Sequence, residues 1–64
     1  MNRRDFEAYL RDQGCRLHRH GAKHDLWRNA ANGAKSPLPR HKTLKKPLVR
    51  GVCRQLDIPP PDGI

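Results

Sequence analysis

Cys15-Arg16-Leu17-His18-Arg19-His20-Gly21-Ala22-Lys23-His24-Asp25-Leu26-Trp27-Arg28 is the stretch whose reading decides the fold. From Cys15 the chain alternates, with Cys15, Leu17 and Arg19 in one series and Arg16, His18 and His20 in the other. A period of two suits a β-strand, here with Cys15 and Leu17 turned inward. Gly21-Ala22-Lys23 reads as a tight turn, and His24 to Arg28 form a second short strand whose large side chains are Leu26 and Trp27. The polar segment Asn29 to Ser36, with Asn32-Gly33 inside it, turns the chain again toward a third strand centred on Leu38. Pro37 and Pro39 lack backbone donors, so that strand must be short and lie at a sheet edge, and Arg40-His41 end it.

Working outward, residues 3 to 13 place Phe6, Tyr9 and Leu10 at the i, i+3, i+4 spacing of one helical stripe. Asn2 is a good N-cap, Asp5 puts a carboxylate at the positive end of the helix, and Gly14 supplies a left-handed stop. Beyond the strands, Leu48, Val49, Val52, Cys53 and Leu56 form a second apolar stripe, opened by Pro47 at a position where a missing N–H costs nothing. The expected architecture is α+β, in the order α-β-β-β-α, with a three-stranded antiparallel sheet and two helices on one face. Residues 1–58 form one domain, and residues 59–64, with Pro59-Pro60-Pro61, are expected to be a flexible tail.

A chain of 64 residues can bury only a small core. Its charge is the stronger signal: fourteen Lys and Arg against six acids give a formal net charge of +8. Such a field attracts polyanions, and nucleic acid leads because neutralising phosphates releases condensed counterions. An adaptor that meets one acidic protein is the competing class. The N-terminal segment carries no apolar run, so neither a secretory signal nor a membrane span is expected, and the protein is placed in the cytoplasm with Cys15 and Cys53 as reduced core thiols.

Several residues carry possible chemistry. Cys15-x2-His18 with His20-x3-His24 has zinc-like spacing, but alternation sends His18 and His20 to the face opposite Cys15, so no metal and no cofactor is expected. His24 follows the turn and opens a strand, where an imidazole reaches both solvent and ligand and can exchange a proton with a ribose hydroxyl or a leaving oxygen. Lys23 beside it, with Arg40 and His41, supplies cations for a phosphate, and Arg19 and Arg28 extend the basic surface toward RNA. Trp27 is either a core residue or, on the outer sheet face, a platform for an unpaired base. Paired carboxylates, a phosphate-cradling glycine loop and a Ser-His-Asp set are all missing.

Taken in order, Asp12-Gln13-Gly14-Cys15-Arg16-Leu17, Gly21-Ala22-Lys23-His24-Asp25-Leu26-Trp27, Pro39-Arg40-His41 and Leu48-Val49-Arg50-Gly51-Val52-Cys53-Arg54-Gln55-Leu56 resemble the HicA-type toxins, also called the YcfA family. The likeness spans Arg3 to Pro59. It implies a double-stranded-RNA-binding-like fold, ribosome-independent cleavage of messenger RNA by one histidine, here His24, and neutralisation by a HicB-type antitoxin in a hetero-oligomer that covers the His24 region. A non-catalytic RNA-binding module of the same fold is the alternative, distinguished by binding without cleavage.

Overall fold

The computed structural model describes all residues from Met1 to Ile64. Helix α1 spans Arg3–Asp12, and the Asn2 side chain accepts a hydrogen bond from the Arg4 amide at 2.7 Å, the capping expected of Asn at that position. Strands β1 (Cys15–His20), β2 (His24–Asn29) and β3 (Lys35–Pro39) form an antiparallel meander in the spatial order β1-β2-β3. Helix α2 covers Lys46–Leu56 with Pro47 in its first turn, and its cap residue Asp57 adopts the left-handed conformation. The α-β-β-β-α order of the sequence reading is therefore the observed one, and neither helix is long and apolar enough to cross a membrane.

Both helices bury their stripes on one face of the sheet. Phe6 and Leu10 from α1 and Val49, Val52, Cys53 and Leu56 from α2 close over Cys15, Trp27 and Leu38, and Leu44 from the loop before α2 completes the cluster. The sequence pattern assigned no role to Leu44. It enters the core because the N-terminal residues pair with this loop: Leu44 N–H donates to Met1 O, Arg3 N–H to Lys42 O at 2.8 Å, and the terminal ammonium to Leu44 O at 2.7 Å. In the segment after α2, Ile64 packs against the core and the Tyr9 hydroxyl donates to Pro59 O.

Three details of the strands depart from simple alternation. Leu17, expected inward, is 48% exposed on the edge strand β1. The register of β1 against β2 shifts between Leu17 and Arg19, so that His18 bulges and the two residues after it exchange faces. Arg19 consequently pairs with Leu26 on the open face, and His20 pairs with Asp25 on the helix-covered face, the reverse of what strict alternation gives. Trp27 is completely buried and packs beneath the Arg11 guanidinium, 5.3 Å from the ring centroid, which excludes it as an external base-stacking platform.

In a core this small each side chain matters. Leu38→Ala is expected to cost about 2–5 kcal/mol, most of the stability available to a chain of this size. Urea unfolding followed by the fluorescence of Trp27 checks this, and a shift in midpoint worth less than about 1 kcal/mol would show that the sheet face is not tightly packed there.

Candidate functional site

Gly21, Ala22 and Lys23 connect β1 to β2, and the turn closes with a hydrogen bond from the Gly21 amide to His24 O at 3.0 Å. A Cβ at position 21 would lie 2.5 Å from that same oxygen, so only glycine permits the close approach. His24 stands at the exit of the turn, exposed, and shares with Leu26 and Arg28 the sheet face that no helix covers.

Beneath the turn lies Asp25, whose side chain is 9% exposed. A buried carboxylate needs matching cations, and three separate parts of the chain converge to provide them. Arg40, just past β3, reaches Oδ1 with Nε at 3.1 Å and Nη2 at 2.9 Å. Arg3 from α1 donates from Nη2 to Oδ2 at 2.8 Å and from Nη1 to Pro39 O. His20, at the end of β1, sets Nδ1 2.8 Å from Oδ1. Burial by itself raises the Asp25 pKa, but the hydrogen bond and charge of Arg40, with the charges of His20 and Arg3, outweigh it and hold the carboxyl below its ordinary range. Arg40 also donates from Nη1 to Ala22 O at 3.0 Å and from Nη2 to Gly21 O, tying the turn itself to the same hub.

The residues singled out from sequence therefore fall into separate groups. His24, Arg19 and Arg28 share the open sheet face, and Lys23 projects from the turn beside them. Arg40 is directed under the turn, with most of its donors engaged by Asp25 and the turn carbonyls. His41 is exposed in the loop after β3.

Sequence reasoning missed Asp25, Arg3 and His20. For Asp25 a signal existed: it shares strand parity with Trp27, so a buried Trp27 implies an inward acid that demands cationic partners. Two more cations were overlooked on the open face, where Arg16 and Lys35 lie directly opposite Arg28 on either side, making a row of three positive residues in register across the sheet. Arg16 turns its guanidinium toward the end of α1, donating to Arg11 O at 3.1 Å and to Cys15 O at 2.8 Å, so Arg28 and Lys35 are the like-charged neighbours left to repel each other unless an anion lies over them.

Cys15 and Cys53 are free thiols buried in the core. Burial raises both, with Cys53 pushed up to about 11 by burial and the neighbouring Cys15, so neither supplies a thiolate nucleophile. No group of three or more His, Cys, Asp or Glu side chains converges anywhere in the chain.

The element order, the single helical layer and the bare opposite face define a small α+β domain of the double-stranded-RNA-binding type. The family model described as "HicA toxin of bacterial toxin-antitoxin" matches residues 3–58, nearly the entire chain. The protein belongs to the HicA toxin family. Comparison with curated proteins and with solved structures gave no match.

The Asp25 hub has a measurable pH signature. Because folding lowers the Asp25 pKa, its contribution is fully present above the unfolded-state value and is lost as pH falls through the lower folded value. Asp25→Asn is accordingly expected to destabilise at neutral pH by up to about 3 kcal/mol, the low end for breaking a buried pair because Arg40 is a third exposed. The difference between the two proteins should shrink as pH falls below the ordinary aspartate value of about 4. Urea unfolding of both across that range tests it, and a pH-independent difference would remove the carboxylate charge from the explanation.

Proposed function

We propose that this chain is an endoribonuclease that cleaves messenger RNA without a metal ion, with His24 as the proton-transfer group. The observation that carries the reading is the position of an exposed imidazole at one end of a sheet face crossed by Arg16, Arg28 and Lys35 in register. A single-stranded RNA laid across that face neutralises the repelling cations, with Arg19 adding to them, and brings a phosphodiester to His24 and Lys23. A ribose 2′-hydroxyl is the nucleophile that RNA carries in itself, so the protein need only move protons and stabilise charge on phosphorus. His24 takes the hydroxyl proton or returns one to the leaving 5′-oxygen, and Lys23 faces the growing phosphate charge. Arg40 holds the turn carbonyls and contributes to the phosphate through its remaining N–H. His41 is a secondary contact to the RNA backbone.

Membership in a toxin–antitoxin family implies an antitoxin. The partner proposed is a HicB-type protein that silences the toxin in a hetero-oligomer by covering His24 and the basic face. With a formal charge of +8 on the toxin, the covering surface is expected to be acidic.

Removing one acid–base group costs about 10²–10⁴ in rate. His24→Ala should therefore stop transcript cleavage and growth arrest while retaining RNA affinity, and the wild-type rate should survive chelators. Undiminished cleavage by His24→Ala would overturn the assignment, and RNA binding without cleavage by the wild-type protein would make this a binding module.

The basic row is tested separately through salt. Each phosphate contact steepens the slope of log K against log salt by about 0.7 for single strands, so Arg28→Ala should make it shallower by about 0.7. Fluorescence anisotropy with a labelled oligoribonucleotide measures the slope, and an unchanged value for Arg28→Ala would move RNA off this face.

A further inference from the structure

We propose that the cleft between the start of α1 and the loop after β3 is a nucleotide subsite, which holds one nucleotide of the RNA beside the cleavage position and selects a base that carries an amino group. The inference rests on the reading of this chain as a ribonuclease and goes beyond it by naming a specificity contact away from the scissile phosphate. It starts from a cavity of about 450 Å³ lined by Asn2, Arg3, Arg4, Glu7 and Lys42. Its volume falls within the range of small-ligand pockets, and no apolar side chain lines it. Such a lining suits a ligand that brings its own charge and hydrogen-bonding groups.

The two sides of the cleft are joined through the backbone. Arg3 N–H donates to Lys42 O at 2.8 Å, and Asn2 bridges Thr43 in antiparallel fashion. Arg3 is fully engaged, with Nη2 on Asp25, Nη1 on Pro39 O and Nε 3.4 Å from Glu7, so its guanidinium forms a wall. Arg4 and Lys42 differ from it. Both are exposed, one on each side of the cleft, and neither enters an ion pair. Two unpaired cations converging on one cleft suit a phosphate. The first amides of α1 are already used, Arg3 N–H on Lys42 O and Arg4 N–H on Asn2 Oδ1, so side chains carry the recognition.

Glu7 decides the class of ligand. A carboxylate in the cleft repels a bare anion, which makes inorganic phosphate a poor occupant. A nucleotide satisfies both signs of charge, with its phosphate between Arg4 and Lys42 and its base turned toward Glu7. Arg3 holds that carboxylate in place, and its oxygens accept an amino hydrogen such as cytosine N4–H. Uracil has a carbonyl oxygen at the same ring position and meets the carboxylate with repulsion. Asn2 engages its oxygen with the Arg4 amide, which leaves its NH₂ group to donate to a ring carbonyl or a sugar oxygen.

The cleft lies at the end of the sheet that carries His24. Arg3 reaches from its wall to Asp25, the residue after His24, and to Pro39, which His24 faces across the β2–β3 pairing. The cleft belongs to the helix side and His24 to the open side, so the two serve different nucleotides. A strand that crosses the open face past His24 and turns over the end of the sheet delivers a neighbouring nucleotide to Arg4 and Lys42.

The test is a titration of the isotope-labelled full chain followed by amide NMR shifts, with cytidine 5′-monophosphate, uridine 5′-monophosphate and inorganic phosphate as probes. Cytidine monophosphate is expected to move the amides of Asn2, Arg4, Glu7 and Lys42 and to bind about tenfold tighter than either of the other probes. The double variant Arg4→Gln, Lys42→Gln should weaken that binding by about tenfold or more. Glu7→Gln, whose amide can serve either base, should bring the two nucleotides to within about twofold of each other. It carries the test if the double variant does not fold, which the spectra of the free proteins report directly.

Absence of cytidine monophosphate shifts at those amides, equal affinity for the three probes, or a Glu7→Gln protein that still prefers cytidine monophosphate tenfold would overturn the subsite. The shifts are read without cleavage, so the two readings fail separately. A chain that cuts RNA but ignores cytidine monophosphate loses only the subsite. A chain that binds it in the cleft and cuts no RNA loses the ribonuclease reading and keeps the nucleotide site.

Discussion

One buried carboxylate organises the end of the molecule at the β1–β2 turn. Asp25 draws Arg3 from α1, His20 from the last position of β1 and Arg40 from the segment after β3 to a single point beneath the turn. Burying a charge is costly, and an ion pair of this kind contributes less to stability than apolar side chains packed in the same space. What the arrangement provides is position. Elements far apart in sequence are referenced to one pair of oxygens, and the Arg40 guanidinium extends that reference to the carbonyls of Gly21 and Ala22.

This organisation divides the sheet into two working surfaces. The helix-covered face holds the apolar cluster and, at one end, the carboxylate hub; the opposite face holds Arg16, Arg19, His24, Arg28 and Lys35. A small chain gains from that division, because the residues available for binding are not needed for packing. The exception is Trp27, which lies wholly in the core, with its indole N–H unpaired, while Arg11 on α1 covers its ring from above. The basic composition therefore reaches into the packing, where one arginine shields the largest core side chain.

The elements were legible because their signals are local. Phe6, Tyr9 and Leu10 are spaced for a helix, Gly21 and Gly33 mark the turns, and Pro47 opens α2, and each of these acts within a few residues of itself. The face each strand residue occupies was legible only up to Leu17. A bulge is set by how β1 pairs with β2, so nothing within Cys15–His20 announces that Arg19 and His20 change sides. The candidate site was half legible for the same reason. His24 and Lys23 declare themselves by their place at the turn, whereas the convergence of Arg3, His20 and Arg40 on Asp25 depends on sequence separations of 22, 5 and 15 residues that only the tertiary fold closes.

The borders of the sheet have a consequence of their own. Along one margin β3 contains Pro37 and Pro39, which have no amide hydrogen to offer; along the other, β1 is interrupted at His18 and flanked by Arg16 and Arg19. Both margins are poor templates for an incoming strand. Copies of the chain are thereby kept from joining edge to edge into a continuous sheet, and any protein that captures this one must recognise it through side chains laid over a surface.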